Sequence, residues 1–236
     1  MFKIVENQNF LNTKATQVSL RYDKDSLDFE SITSLPTNLE QATKNRKIEF
    51  FAGRVCAETA FERLSGKKIR IASSPDRSPV WPSGFVGSIS HCEGFATAVV
   101  AAKSAVNGIG VDAEILISPS QVSLLSDMFI LPEELNLIQS DHWSNSKFAT
   151  LIFSAKESIF KCFYPHIKSY FDFKDAVISN IDEDKNTFTF NFLKDLNLTF
   201  CKGFQSSGKF FFHDNFVHTL VEYSETNGQQ QIRSLN

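Results

Sequence analysis

The chain has 236 residues, 42% of them hydrophobic, and a formal net charge of −3 at neutral pH. That length fits one large domain or two small ones, and the apolar fraction suffices to bury a core. The acidic balance argues against bulk attraction to nucleic acid, the apolar runs are too short to span a membrane, and the first residues show no secretory signal. We therefore expect a cytoplasmic protein.

The four cysteines are Cys56, Cys92, Cys162 and Cys201, and none belongs to a CxxC or zinc-type pair. We interpret them as reduced, buried thiols, as is usual in the cytoplasm. The alternative is a catalytic Cys92 that works with the adjacent His91. Neighbouring residues of a strand point to opposite faces, which disfavours that dyad.

The first half of the chain predicts a helix, a loop and three strands. Apolar residues recur at three- and four-residue steps from Lys44 to Leu64, which predicts a helix, and Gly66 is a stop signal. The stretch from Ser73 to Gly84 holds three of the seven prolines and predicts an irregular loop. Strands are predicted at Phe85 to Ser90, Phe95 to Ala102 and Ile109 to Ile115, the first two as a hairpin.

The second half predicts helices followed by strands. The pattern is helix-rich from about Ser120 to Tyr164, with Pro132 at a first helical turn. Strand-like alternation returns from Thr187 to Phe200. Further strands are predicted at Phe210 to Phe212 and Phe216 to Tyr223, and the polar tail after Ser224 should fray. The whole pattern indicates an α+β fold with antiparallel sheets.

Two carboxylates share one face of the predicted strand GIGVDAEIL. Asp112 and Glu114 alternate with apolar residues, so the apolar set faces a core and both acids face the other way. Their Cα atoms should lie about 6.6 Å apart, at roughly 3.3 Å per residue. Such a pair could bind one Mg²⁺ ion, which prefers oxygen ligands. A solvated strand face is the ordinary alternative.

A third acid and a lysine lie in the predicted helix FSAKESIFK. Glu157 and Lys161 are one turn apart on its polar side. An exposed ion pair worth a few tenths of a kcal/mol is the ordinary interpretation, about what such pairs contribute in isolated helices. The alternative makes Glu157 a metal ligand and Lys161 a phosphate ligand. Phe153, Phe160 and Tyr164 flank this polar side, which a purely solvated helix would not need.

The segment GSISH places a hydroxyl and an imidazole at the end of a strand. Ser90 and His91 could bind phosphate oxygens there. A structural histidine is the common alternative. The segment has neither the G-x-S-x-G elbow of serine hydrolases nor the G-x-x-x-x-G-K-[ST] phosphate loop.

Several cations precede that segment. Arg46, Lys47 and Arg54 lie in the first predicted helix, and Arg77 lies in the proline-rich loop. Singly, each is an ordinary surface charge. As a group they could neutralise a ligand that carries several phosphates.

Four segments together resemble the 4′-phosphopantetheinyl transferases of the surfactin and enterobactin type. They are RKIEFFAGRVCA (Arg46 to Ala57), DRSPVWPSGFVGSISHC (Asp76 to Cys92), GIGVDAE (Gly108 to Glu114) and FSAKESIFK (Phe153 to Lys161). The resemblance implies two similar α+β halves, packed as a pseudo-dimer within one chain, with coenzyme A between them. We place the division near residue 118, which gives halves 1–118 and 119–236. The family moves 4′-phosphopantetheine from coenzyme A to a serine of an apo acyl or peptidyl carrier protein and releases adenosine 3′,5′-bisphosphate.

The resemblance also implies roles for the acids and the phosphate ligands. Asp112, Glu114 and Glu157 would hold Mg²⁺ against the coenzyme A pyrophosphate, and Lys161 and His91 would contact phosphates. The carrier serine needs a general base, and the sequence leaves two candidates open. Glu157 could serve directly or through a water, whereas Lys161 could serve only with a strongly lowered pKa.

The resemblance also implies functions for a serine, three arginines and one aromatic residue. Ser90 would stand beside the phosphates, and Arg46, Arg54 and Arg77 would serve the 3′-phosphate and nucleotide end. Many relatives have tryptophan where Phe153 stands, and another aromatic ring can keep its packing role.

Two other functions would suit parts of this pattern. A metal-dependent hydrolase of nucleotide pyrophosphates needs similar acids and cations, and an inactive carrier-binding module needs none of them. The intact acids argue against the module. We expect a monomer, and the sequence leaves the carrier and its pathway undetermined. Within the predicted helix, Lys156 should point about 100° away from the face of Lys161, so replacing Lys161 should cost far more turnover than replacing Lys156.

Overall fold

Two antiparallel sheets, each with a long helix packed against it, form the part of the chain that the computed structural model describes, which is residues 2–5, 14–23, 39, 41–137 and 143–225. This architecture confirms the predicted α+β fold in two halves. In chain order the first half contains β1 (Phe2–Val5), β2 (Thr16–Tyr22), α1 (Lys44–Ser65), β3 (Ala72–Ser73), β4 (Pro79–Val80), β5 (Phe85–Cys92) and β6 (Phe95–Ala102).

The first sheet has the strand order β1-β2-β6-β5 and is covered by α1. The side chain of Thr43 caps the start of α1 by accepting a hydrogen bond from the Arg46 amide at 3.3 Å. The helix ends at Gly66, as predicted, where φ is 72°. Leu64, at the end of the apolar pattern of α1, is exposed, whereas Phe61 is buried.

The second half contains β7 (Gly108–Ile115), α2 (Pro119–Phe129), α3 (Asn145–Ile167), β8 (Ala176–Asp182), β9 (Thr187–Phe192), β10 (Gln205–His213) and β11 (Phe216–Tyr223). Its strand order is β7-β11-β10-β9-β8. A short 3-10 helix begins at Pro132, as predicted. The apolar side of α3 packs on the sheet, where the ring of Phe163 meets neighbouring phenylalanine rings edge to face. Its residues Ile152, Ala155, Ile159 and Phe163 are all buried.

The two halves meet where β5 lies beside β7. Two serine hydroxyls span this junction: Ser88 Oγ accepts a hydrogen bond from the Val111 amide at 3.0 Å, and Ser90 Oγ accepts one from the Ala113 amide at 3.3 Å. A shared apolar cluster of β6, β7 and β11 residues lies behind them. The junction therefore holds the strand of the two predicted carboxylates directly against the segment GSISH.

Gly110 brings β7 unusually close to α3. A Cβ atom at this position would overlap the backbone carbonyl oxygen of Ser158 and lie 2.6 Å from the Cys162 amide nitrogen. A side chain here would push the helix away from the strand. The glycine thus permits the close approach of Asp112 and Glu114 on β7 to Glu157 on α3.

Several predicted elements need correction. The proline-rich loop is not wholly irregular, since β3 and β4 pair within it. The strand predicted from Thr187 to Phe200 ends at Phe192, and β8 had no predicted counterpart. Strand β10 is longer than the predicted Phe210 to Phe212, and α3 continues past Pro165 into its last turn. The strands β1 and β2 were also missed, and most of the predicted frayed tail lies outside the described residues.

The division predicted near residue 118 does not coincide with the division between the sheets. Strand β7 precedes residue 118, yet it is hydrogen-bonded to β11 of the second sheet. The change from one sheet to the other falls between β6 and β7. None of the described helices is both long and apolar enough to cross a bilayer.

Candidate active site

The centre of the site is an ion pair between β7 and α3. Asp112 is 1% exposed, and its Oδ1 accepts hydrogen bonds from Lys161 Nζ at 2.6 Å and from Ser90 Oγ at 2.7 Å. Lys161 Nζ also lies 3.9 Å from Glu157 Oε2. The exposed Glu–Lys pair that is usual on helices is therefore the wrong description, because the lysine turns inward to the strand acid.

Glu114 and Glu157 complete a group of three acids around one lysine. Burial raises the pKa of Glu114 to about 8, with the Asp112 and Glu157 carboxylates adding to the shift. Burial also raises the pKa of Glu157, and Asp112 adds to that shift against the opposing charge of Lys161. The three carboxylates are thus close enough to repel one another, and one ammonium group does not neutralise their combined negative charge.

The other carboxylate oxygen of Asp112 differs from Oδ1 in its hydrogen bonding. Oδ2 is buried and accepts no hydrogen bond from any residue the structure describes. A buried carboxylate oxygen without a donor is costly unless a cation or water satisfies it. Within the described ranges, no three histidine, cysteine or acidic side chains stand in a ready-made metal cage. Lys161 instead lies between the acids of β7 and α3.

The electrostatics of Lys161 follow from the same contacts. Burial lowers the pKa of Lys161, but the carboxylates of Asp112 and Glu157 outweigh that effect and raise the pKa above its usual value. Lys161 is therefore held as an ammonium group. Of the two base candidates left open by the sequence, this charge state favours Glu157.

Ser90 makes contacts other than those predicted. It is buried, donates to Asp112 and accepts from the Ala113 amide, so its hydroxyl orients the acid rather than facing open space. Ser88 holds β7 in the same way and was missed by the sequence reasoning. The S-x-S alternation was the available signal, because it places both hydroxyls on one face of β5.

His91 lies at the rim of the site in contact with Arg46. Arg46 Nη1 donates to His91 Nε2 at 2.9 Å, which requires a neutral imidazole. Burial lowers the pKa of His91 to about 4, with the charges of Arg46 and Lys161 adding to the shift. Glu49, which the sequence reasoning missed, lies 3.6 Å from Arg46 Nη1 and 3.7 Å from His91 Nδ1.

A cavity of about 350 Å³ opens next to Arg46, in the first half of the chain. Arg54 stands behind this cavity rather than in its wall: it is buried, donates to Ser73 Oγ at 2.7 Å and stacks over the ring of Phe50. Of the three predicted nucleotide-binding arginines, two thus line the cavity directly. Its wall consists of Leu39, Gln41, Ala42, Arg46, Phe50, Ser73 and Arg77.

A second, larger groove of about 530 Å³ runs from His91 and Glu114 to α2. Its floor is aromatic, since Phe153 packs against Phe129 and Phe173 with ring centroids 5.3 and 5.5 Å apart. Phe153 therefore has the aromatic packing role expected of it. Arg46 in the wall of the arginine cavity contacts His91 in the lining of this groove, so the two openings adjoin there.

The sequence reasoning missed a buried ion pair directly beside the site. Lys156 and Glu134 are both fully buried, with Nζ 2.9 Å from Glu134 Oε2. Lys156 Nζ also donates to the Phe129 carbonyl, and Glu134 accepts from the amides of Leu131 and Ile178. Lys156 points away from Lys161, as predicted, but it belongs to the core. A lysine in a polar stretch gives no sequence signal of burial.

The catalytic-cysteine alternative finds little support. Burial raises the pKa of Cys92, and the charges of Glu114 and Asp112 raise it further, which disfavours a thiolate. Cys56 and Cys162 are buried as expected. Cys201 is exposed, which corrects the expectation that all four thiols are buried.

Family comparisons cover most of the site. A model described as the 4′-phosphopantetheinyl transferase N-terminal domain matches residues 35–101, which include the arginines, Ser90 and His91. A model described as the 4′-phosphopantetheinyl transferase superfamily matches residues 108–221, which include Asp112, Glu114, Glu157 and Lys161.

Individual relatives give the same result. The chain is 35% identical over 159 residues to 4′-phosphopantetheinyl transferase Svp of Streptomyces mobaraensis, covering 64% of this chain and 61% of that protein. It is 32% identical over 162 residues to 4′-phosphopantetheinyl transferase PptT of Mycobacterium tuberculosis, covering 64% and 67%. It is 42% identical over 123 residues to enterobactin synthase component D of Escherichia coli O157:H7, covering 52% and 57%. The matches thus span roughly three fifths of these relatives' lengths.

Proposed function

This chain belongs to the 4′-phosphopantetheinyl transferase superfamily, and we propose that it transfers 4′-phosphopantetheine from coenzyme A to a serine of an apo carrier protein with the help of Mg²⁺. The observation that carries this proposal is the group of Asp112, Glu114 and Glu157 around the single ammonium of Lys161. Phosphoryl transfer needs this kind of charge arrangement more than it needs a covalent catalyst.

The residues fit a magnesium ion. Asp112 Oδ2 is buried without a donor among the described residues, and burial together with the neighbouring carboxylates raises the pKa of Glu114. Both features indicate uncompensated negative charge on oxygen ligands, which Mg²⁺ prefers. Asp112, Glu114 and Glu157 would hold the ion. When bound, the ion supplies positive charge to the pyrophosphate and to the leaving bisphosphate.

The cations would bind the rest of coenzyme A. Lys161, which stays an ammonium group, and His91 at the rim would contact the pyrophosphate. Arg46 and Arg77 in the wall of the 350 Å³ cavity would take the 3′-phosphate and nucleotide end. Arg54 would act from behind, by fixing Ser73 and Phe50. The contact of Arg46 with His91 joins these two sets of ligands.

Glu157 is the proposed general base. Burial raises its pKa, so it accepts a proton more readily than an ordinary carboxylate. The carrier serine oxygen forms a bond to the phosphorus next to the pantetheine, and the bond from that phosphorus to the bridging oxygen breaks. Adenosine 3′,5′-bisphosphate leaves, and the serine proton passes to Glu157.

The 530 Å³ groove would receive the pantetheine arm and the incoming serine. It is mostly apolar, and His91 and Glu114 are among its lining residues, so it reaches the acid cluster. Enterobactin synthase component D is among the relatives, which favours a carrier of a siderophore or peptide synthase for this chain. We propose a cytoplasmic monomer.

Coenzyme A consumption, followed chromatographically with and without an apo carrier, tests the proposal. We expect consumption only when Mg²⁺ and a carrier are both present. Equal consumption without a carrier would identify a pyrophosphate hydrolase instead. Carrier binding without consumption would identify an inactive carrier-binding module.

A further inference from the structure

One hydrogen bond connects helix α3 to the loop that carries Arg77, and none of the functions proposed above involves it. Tyr164 on α3 donates its hydroxyl proton to Asp76 Oδ2 at 2.9 Å. Tyr164 follows Lys161 by one helical turn on the same side of α3. Asp76 is the residue directly before Arg77. The bond therefore connects the two halves of the chain beside the ligands proposed for coenzyme A.

Asp76 accepts several hydrogen bonds from its own loop. Asp76 lies in the Arg77 loop, defined as residues 74–78, where Ser78 donates to Asp76 Oδ1 from its amide at 3.0 Å and from its hydroxyl at 2.7 Å. Ser74 Oγ donates to the same oxygen. Hydrogen bonds from Ser74, Ser78 and Tyr164 hold the pKa of Asp76 well below its usual range, so the acceptor is ionised at neutral pH. Oδ1 accepts the hydrogen bonds from the loop, and Oδ2 accepts the one from Tyr164.

The Tyr164 side is fixed by packing. Its ring stacks on Phe160 with centroids 5.1 Å apart and planes inclined by 29°. Phe160 in turn contacts the rings of Tyr170 and Phe171. The hydroxyl is thus presented to Asp76, at a solvent-exposed position, by a ring that stacks on a neighbouring residue of α3.

Arg77 itself has little freedom in this loop. Its φ is 71°, in the left-handed region that non-glycine residues rarely adopt, and its amide donates to the Ser74 carbonyl at 2.9 Å. Such a conformation persists only where surrounding contacts impose it. The contacts that do so here are the Ser74 and Ser78 hydrogen bonds and the bond of Asp76 to Tyr164.

We propose that the Asp76–Tyr164 bridge is a positioning device that holds Arg77 in the wall of the cavity, where it discriminates for the 3′-phosphate of coenzyme A. This inference rests on the proposed function, because the cavity is assigned to the nucleotide end there. Among the described residues, the Tyr164 hydroxyl is bonded to Asp76 and not to Asp112, Glu114 or Glu157. Its effect is on ligand affinity, through Arg77.

Calorimetric titration of Tyr164→Phe with coenzyme A and with 3′-dephospho-coenzyme A tests the bridge. The variant keeps the ring stack and removes only the hydroxyl. We expect the Kd for coenzyme A to rise about threefold to tenfold, the range that one net hydrogen bond contributes. The Kd for the dephospho ligand should not change, nor should kcat at saturating coenzyme A. Tyr170→Phe, on the same aromatic cluster, is the matched control and should match the wild type.

The double variant Arg77→Gln/Tyr164→Phe shows whether the effect runs through Arg77. If it does, removing the hydroxyl should cost nothing further once Arg77 is gone. Equal Kd values for coenzyme A in the wild type and Tyr164→Phe would overturn the proposal, as would equal weakening for both ligands. A wild-type protein that binds neither ligand would instead refute the proposed function, so the two failures are distinguishable.

Discussion

The buried pair of Lys156 and Glu134 gives a sharp prediction about stability. Replacing Lys156 with methionine keeps most of the side-chain volume and removes the ammonium group. Glu134 would keep the amide donors of Leu131 and Ile178 but would lose its only charged partner among the described residues. The Phe129 carbonyl would also lose a donor.

The size of the effect follows from that burial. Both side chains are at most 1% exposed, so water cannot replace the lost partner. Breaking a buried ion pair from one side costs about 3–5 kcal/mol, because a charge stays behind in a low-dielectric interior. For a chain of this length that corresponds to a Tm lowered by about 10 °C. The double variant Glu134→Gln/Lys156→Met removes both charges and should recover about 2 kcal/mol of the loss.

Urea unfolding followed by circular dichroism measures these differences. Lys147→Met is the matched control, since Lys147 lies on the same helix but is exposed, and it should change stability by no more than about 0.5 kcal/mol. A loss below about 1 kcal/mol in Lys156→Met would refute the buried pair. So would a double variant less stable than Lys156→Met, because the two charges would then not be coupled.

Four further predictions concern the site. Asp112→Asn and Glu157→Gln should each lose most transfer activity while circular dichroism stays unchanged, and near-wild-type turnover with Mg²⁺ would exclude either residue as a metal ligand. In buffer with a chelator at pH 8, Glu114→Gln should raise the Tm by relieving repulsion among the acids, whereas a lower Tm would mean that the acids do not repel one another. Lys161→Met should reduce kcat far more than Lys147→Met, and equal kcat values would contradict the role of Lys161. Coenzyme A should bind about tenfold more tightly than its 3′-dephospho form, as expected for a charge-assisted hydrogen bond, and equal affinities would contradict the role of the arginines.

Much of the fold was readable from periodicity, because its elements are amphipathic. Helix α1, the hairpin of β5 and β6, strand β7 and the apolar side of α3 all follow their predicted patterns. Strand β9 was predicted too long because apolar residues continue to alternate after Phe192. There the Asn197 side chain accepts hydrogen bonds from the amides of Thr199 and Phe200, which turns the chain. Local side-chain capping of this kind overrides the alternation.

The site was readable only in part, since its chemistry depends on contacts distant in sequence. The pattern of β7 gave Asp112 and Glu114 a common face, but only the fold brings Lys161 to Asp112. The bonds of Ser90 to Asp112 and to the Ala113 amide could not be predicted, because the sequence gives no sign that β5 lies against β7. Lys156 was predicted only to point away from the face of Lys161, and the structure makes it part of the core.

The measurement that tests the central claim most directly is the intact mass of an apo carrier after incubation with this protein, coenzyme A and Mg²⁺. We expect the carrier to gain the mass of one phosphopantetheine group. A carrier whose acceptor serine is replaced by alanine should gain nothing, and neither should the wild-type carrier with the Asp112→Asn enzyme. An unchanged mass across siderophore, peptide, polyketide and fatty-acid carriers, with coenzyme A still bound by the protein, would contradict the assignment.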